Sequence, residues 1–562
     1  PKLPPTKLHG IVVANLILYP ELTMATDADI VPQIVTDFVF DLYDSVTLSQ
    51  LVEEQSRFYN TVFRDLSSKY FASSPWPAPP AIAAECNGDP LFLALYREST
   101  HRHWHAVSRP SLRERMEGWD VYRELFDELL EGAEEDSASS QPRLFVLPEW
   151  AFDILNEFVY QFQGFCQFRT SLYSSAKKHG LLTAEEAASA GADGQEGAPS
   201  ENKKKGPPHH VVENLAVMRE DAAQDVWNIE TVQYYLNRLV QIGTSEKCTV
   251  PAYQYFGIFA SVALSRLECL LCDYSGCLAA LIPVLENPSC KVVKSDLDTK
   301  DFGQVVGDVV SARLSMAYHA GVSFLMLRRY KDAVSTVGDL CSYMQRGFKT
   351  GHLRNLPETE QLYKNYDRML ALLAICVHVC PQSNLIDESL QKTIREKHGA
   401  QLSKEAYGEL FVSCAPKFVS PCIPDFNSSV MPVENFYKQQ VYLLEQEMKD
   451  QAKFRNLRSY LKLYTSITTS KLVKFGNEEA TLSSLKHKMR QLESTDPSVP
   501  SLNSAGHKSA LDIHYYIEKS GDQDIVHVDE AEKERRFENY FFGQISQAHR
   551  IQKRVERINT NV

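Results

Sequence analysis

No apolar run in this 562-residue chain approaches the ~20 residues that a bilayer-spanning helix needs. The nearest, residues 10–19 behind Lys2 and Lys7, only imitates a signal peptide. The 12 cysteines lack the spacing of a disulfide framework, and most of them, such as Cys166, Cys269, Cys376 and Cys380, sit in apolar helical runs. That is free-thiol usage in a reducing compartment, so a cytoplasmic protein is expected. The opening on Pro1 instead of Met is read as a processed or trimmed end. Neither kind of phosphate-binding glycine loop occurs, nor H-E-x-x-H, nor G-x-S-x-G; no catalytic residue, metal or cofactor is expected. A formal charge of −13 argues against a chain that coats nucleic acid through its overall field.

What is present is helix. Hydrophobic content of 44% and charged content of 23% suit a folded protein, and 562 residues exceed one compact core. Residues 317–340, AYHAGVSFLMLRRYKDAVSTVGDL, read as two helices joined by a tight turn at Arg328 and Arg329. Gly321 and Phe324 lie on the first helix; Tyr330, Ala333, Val337 and Leu340 form one stripe on the second. This is the pattern of a tetratricopeptide-type hairpin, which cannot bury its apolar face without stacked neighbours. Tyr274, Cys277 and Leu281 repeat that spacing 56 residues earlier, and helices near 360–380 and 384–398 offer a looser third unit.

Around these units, residues 30–70 carry helical periodicity weakly broken at 45–47, and SSPWPAPP (73–80) stops it. Ser111 followed by Glu114 marks a helix start. Residues 150–169 are so aromatic on all sides that they predict a central buried helix. Residues 184–208 read as a flexible insert, and PKFVSPCIPDF (416–426) as a proline-punctuated linker. Beyond it come helices over 434–464, short helices near 469–475 and 478–492, and the only clear β signal, DIHYYIEKS (512–520) and DIVHVDE (524–530). Helix, turn, helix and β-hairpin is the order of a winged helix.

Three constellations invite chemistry. His101, His103 and Ser111 approach the zinc site of metal-dependent isopeptidases, but Glu114 stands where that motif wants Asp. The surrounding sequence is also helical, and residues two apart on a helix diverge by about 200°, so surface histidines are expected. Cys269-x-x-Cys272 has no second ligand pair and reads as packing. Between 451 and 490 nine lysines and arginines, among them Lys471, Lys474, Lys486, Lys488 and Arg490, face only Glu478 and Glu479. A solvated or protein-contact face is the stronger reading of these cations, and a non-sequence-specific, salt-sensitive RNA contact the other.

Several stretches, in order, resemble the subunit L family of eukaryotic translation initiation factor 3. They are VPQIVTDFVFDLYDSV, SPWP, DPLFLALYRE with RHWHAV, PSLRERMEGWDVYRELFDELL, LPEWAFDILNEFVYQFQGFCQFR, FLMLRRYKDAV, SCAPKFVSPCIP, and FRNLRSYLKLYTSI with LKHKM. The resemblance covers about residues 30–545; the 184–208 insert, the 286–310 connection and the 493–510 loop depart from it. It implies a mainly α fold, with tetratricopeptide-like helical repeats followed by a PCI domain that ends in a winged helix with a small β-hairpin. The expected divisions are an extension (1–29), an N-terminal helical domain (30–172), an insert (173–210), repeats (211–339), a PCI bundle (340–450), a winged helix (451–543) and a basic tail (544–562). It implies a non-enzymatic scaffold joined to other subunits of that factor, notably the PCI subunit K, on the small ribosomal subunit. A PCI subunit of the proteasome lid or signalosome and a stand-alone RNA-binding scaffold are the alternatives. Tyr515, Ile517, Ile525, Val526 and Val528 are expected to supply the buried part of the winged helix and its partner contact.

Overall fold

Among the described residues two hydrophobic cores divide the chain unequally. The larger runs without interruption from Val35 to Met448, and the smaller gathers Leu461, Ile467, Leu472 and Val526. The computed structural model describes residues 31–48, 52–136, 144–182, 208–220, 223, 225–245, 247–285, 291–293, 299–353, 359–380, 385–427, 436–475, 492–493, 508–509, 514–520 and 523–529, with scattered helical positions over 541–555. The 184–208 insert and most of 476–513 therefore lie outside the described residues.

Helix α1 (Gln33–Thr47) ends at the weak break, and α2 (Val52–Arg57) continues through a π-turn at Phe58–Val62 into α3 (Phe63–Tyr70). The short α4 (Pro79–Ile82) leads to α5 (Pro90–Val107), which starts where the Asp89 carboxylate accepts from Phe92 N at 3.0 Å, with Pro90 in the first turn. At α6 (Leu112–Asp136) the Ser111–Glu114 start is a reciprocal capping box, 2.7 Å and 3.3 Å. Helix α7 (Pro148–Lys178) is the expected central helix, buried at Trp150, Phe152, Phe158, Phe162 and Phe165; Tyr160 alone among its large aromatics is exposed.

Next come α8 (His209–Met218) and α9 (Ile229–Gly243), with Trp227 at φ +55° between them. Helix α10 (Pro251–Leu270) packs on α9 so closely that a Cβ on Gly243 would stand 2.6 Å from the Gly257 Cα. The repeat proper follows: α11 (Tyr274–Ala279) and α12 (Ile282–Leu285), a two-strand connection of β1 (Lys291–Val293) and β2 (Thr299–Asp301), then α13 (Phe302–Asp308), α14 (Val310–Met326) and α15 (Tyr330–Thr350). A Cβ on Gly321 would collide with Val337, so the small residue is what lets α14 and α15 close. Helices α16 (Thr359–Val379), α17 (Glu388–Ser403) and α18 (Tyr407–Cys414) complete the stack.

The turns of this stack share one device. Cys272, Arg328 and Glu405 adopt φ of +68°, +62° and +56°, and the next residue's N–H reaches back to Glu268 O, Phe324 O and Gln401 O at 3.0, 2.8 and 3.1 Å. This is the closure of a Schellman motif, built without glycine. In each case a tyrosine (Tyr274, Tyr330 or Tyr407) then opens the next helix. The third unit thus turns at Glu405, between α17 and α18, later than the sequence spacing suggested. The 416–426 linker is packed, with Phe418, Val419 and Phe426 buried and Val419 N bonded to Leu270 O at 3.1 Å.

Helix α19 (Phe436–Leu461) leaves the stack, and β3 (Ser466–Thr468), α20 (Thr469–Phe475), a two-residue ladder of β4 (Leu492–Glu493) and β5 (Lys508–Ser509), and the hairpin β6 (His514–Ser520) and β7 (Gln523–Asp529) follow. The antiparallel sheet has the order β3-β7-β6; β3 was not expected. The divisions at 172 and 339 fall inside α7 and α15, across which the larger core is continuous, and that at 450 falls inside α19, between Met448 of the larger core and Leu461 of the smaller.

Candidate partner interface

The terminal module is positioned by α19, and α19 is held by the repeat turns. Tyr274 donates to Gln440 Oε1 at 3.0 Å, and Tyr330 donates to Glu447 Oε1 at 3.1 Å. The Arg328 guanidinium meets the other oxygen of Glu447 at 2.6 Å. Gln440 and Glu447 are two helical turns apart, roughly 10 Å at 1.5 Å per residue. Packed helices are spaced about 8–10 Å, so one strut can bond consecutive units. Burial pushes the Tyr330 phenol well up, keeping it a donor to the Glu447 carboxylate.

Beyond the strut, the pleat sorts the side chains. Tyr515 and Ile517 of β6 face Val528 and Val526 of β7, and these four pack on Leu461, Ile467 and Leu472. The module's own core therefore takes four of the five expected contact residues. Ile525, half-buried, lies opposite Thr468 and Glu518 on the other face. On that outer face Tyr516, 54% exposed, stacks on His527 at 4.9 Å, and His527 Nε2 lies 2.9 Å from Glu518 Oε2. Among the described residues β6 has a neighbour on one side only, leaving its outer edge open. Tyr516 escaped the sequence reading because it holds the polar register of the strand; an aromatic residue there was the available signal.

Lys471 and Lys474 are exposed on α20, with Lys471 Nζ 4.9 Å from the Tyr464 ring centroid. Phe475 stacks on Tyr460 at 5.2 Å, and Leu463 is 75% exposed beside them, an apolar element in a face expected to be basic. Lys486, Lys488 and Arg490 lie outside the described residues.

The family model described as RNA polymerase I-associated factor PAF67 matches residues 114–548. The Nematostella vectensis eukaryotic translation initiation factor 3 subunit L is 30% identical over 537 residues, covering 92% of this chain and 91% of that relative. The Mus musculus subunit L is 30% identical over 526 residues (89% of this chain, 83% of the relative), and the Homo sapiens one 29% identical over 535 (89% and 83%). The chain belongs to the family of subunit L of eukaryotic translation initiation factor 3. The PAF67 description covers the same stretch under another name, while these relatives agree on the initiation-factor name over nearly their whole length.

In this member of the subunit L family the histidine cluster is part of the helical packing. His101, His103 and His105 are half-buried instead of lying on the surface as expected. His103 Nε2 lies 3.1 Å from Phe71 O, while the His101 and His105 rings stack on each other at 5.6 Å. Burial lowers both stacked rings to about 4, so they are neutral at physiological pH. Among the described residues no group of three or more His, Cys, Asp and Glu could hold a metal. Cys269 is fully buried, and Cys272 is the left-handed residue of a repeat turn, so the Cys-x-x-Cys spacing serves the turn. No helix among the described residues is long and apolar enough to cross a membrane.

Proposed function

We propose that this chain is a non-enzymatic scaffold subunit of eukaryotic translation initiation factor 3, working in the cytoplasm. It assembles with other PCI subunits of the factor, notably subunit K, and supports mRNA recruitment to the small ribosomal subunit. The observation that carries this reading is the edge of β6, open among the described residues, with Tyr516 exposed beside it, on a module that α19 fixes to the repeat stack. An open strand edge offers unpaired N–H and C=O groups, and a neighbouring winged helix can satisfy them by strand pairing or by packing on the outer face. Tyr515, Ile517, Val526 and Val528 then act as the support of that contact and Ile525 as part of it. The exposed Lys471 and Lys474 favour a second, subordinate use: a sequence-independent contact to RNA phosphates beside the protein contact.

Tagged chain purified gently from cells, with companions identified by mass spectrometry, tests this. The paired sample stops after Leu461, which keeps all of α19 and the larger core. Stoichiometric initiation-factor subunits with the full chain, lost with the shortened one, are expected. Proteasome-lid or signalosome subunits, or full retention of companions after shortening, would contradict the reading.

A further inference from the structure

A cleft of about 550 Å³ opens between α7, α10, α14 and α16, far in sequence from the winged helix. Its charged lining is of one sign. Arg266, Arg368 and Lys417 reach it, His319 sits at its wall, and no carboxylate among the described residues lines it. Neither arginine spends its charge on an acid among the described residues. Arg266 donates to Asn156 O and Oδ1 at 3.1 and 2.5 Å and to Gln163 Oε1 at 3.3 Å. Arg368 donates to Cys414 O and Ala415 O at 3.3 and 2.7 Å, its guanidinium lying over the Tyr318 ring. Both arginines are half-buried, and partly desolvated cations held by neutral acceptors gain from an anion that completes them. The Glu157 carboxyl acts on Arg266 in favour of its charged form and also accepts from Gln161 at 3.1 Å. Burial, with Arg368 as a like charge nearby, holds Arg266 down to about 10, and burial with Arg266 and Arg368 holds His319 down to about 3. Beyond burial, His319 feels the two arginines as like charges.

We infer that this cleft binds a small polyanion carrying two or three phosphate groups, gripped by Arg266 and Arg368 within and Lys417 at the mouth. The volume lies within the range of small-molecule sites, and planar guanidinium groups match phosphate oxygens in geometry. An acidic peptide is the less fitting occupant, since the cleft is walled by four helices and offers no strand edge along which an extended chain could lie.

Calorimetric titration of the full chain with inorganic triphosphate tests the inference. Two variants spare the packing. In Asn365→Asp the Oδ1 that accepts from Gln361 at 3.3 Å is retained while a negative charge enters the lining. In Lys417→Gln the backbone carbonyl that accepts from Gln163 at 2.8 Å is untouched. Saturable one-to-one binding is expected, weakened about tenfold or more in each variant and falling as salt rises, with unchanged thermal unfolding of the free variants. Lack of saturable binding at millimolar triphosphate overturns the inference. So does binding that both variants leave intact but that Lys471→Gln with Lys474→Gln abolishes, because the phosphate would then sit on the winged helix.

Discussion

Gly243 and Gly257 show how tightly single positions are constrained. A Gly243→Ala methyl gains about 1 kcal/mol of helix preference, but it would stand 2.5 Å from Tyr253 O and 2.6 Å from the Gly257 Cα. Backbone atoms have no rotamer with which to yield, so overpacking of roughly 1–3 kcal/mol decides the sign. Urea unfolding of Gly243→Ala is expected to show a net loss of stability; a gain would mean that α9 and α10 are less tightly packed than this. Glu157 is constrained by charge instead. Burial is the main cause that raises its carboxyl to about 7, against 4.5 unperturbed. The folded chain thus keeps a proton that the unfolded chain releases. The resulting stabilisation is full below pH 4.5 and is lost as pH rises through about 7. Glu157→Gln keeps an acceptor for Gln161 and is expected to raise stability at pH 8, by at most roughly 3 kcal/mol, with little effect at pH 4. An equal effect at both pH values would contradict the assignment.

The helices show which parts of a fold local chemistry specifies. The α14–α15 hairpin was legible because Gly321, the arginine turn and the tyrosine-led stripe all lie within a span of 24 residues. The same holds for the capping box at Ser111 and for the β6–β7 alternation. What local pattern could not supply was any feature decided by distant partners. Strand β3 is three residues that become a strand only by pairing with β7, as Ile467 does with Val526. The turn at Glu405 carries no glycine to announce it, and the expected divisions fell within helices because a stacked core has no composition break. The strut was equally hidden, since Tyr330 and Glu447 are 117 residues apart. It can be measured directly. Tyr330→Phe is expected to cost about 1.5–3 kcal/mol, as a hydrogen bond to a charged group does. Tyr330→Phe combined with Glu447→Gln is expected to be sub-additive by at least about 0.5 kcal/mol in a double-mutant cycle. Strict additivity would show that α19 is not tied to the repeat through this pair.

At the scale of the whole molecule, subunit L family membership and the physical reading converge on a chain whose organisation is cumulative. One core runs from Val35 to Met448, the repeat turns bond to α19, and α19 carries a small second core whose sheet has an open edge among the described residues. Four of the five residues first singled out for partner contact pack in the core of that module, and Tyr516 is the outward-facing aromatic residue on the face proposed for the contact. A basic face remains in Lys471 and Lys474, interleaved with Tyr464 and Phe475, a composition suited to touching both protein and RNA. The most direct test replaces Tyr516 with a photo-cross-linking amino acid in the intact assembly in cells and identifies what it captures. Cross-links to a PCI subunit of initiation factor 3 are expected. Capture of ribosomal RNA alone, or of nothing but this chain, would contradict the winged helix as the site of assembly.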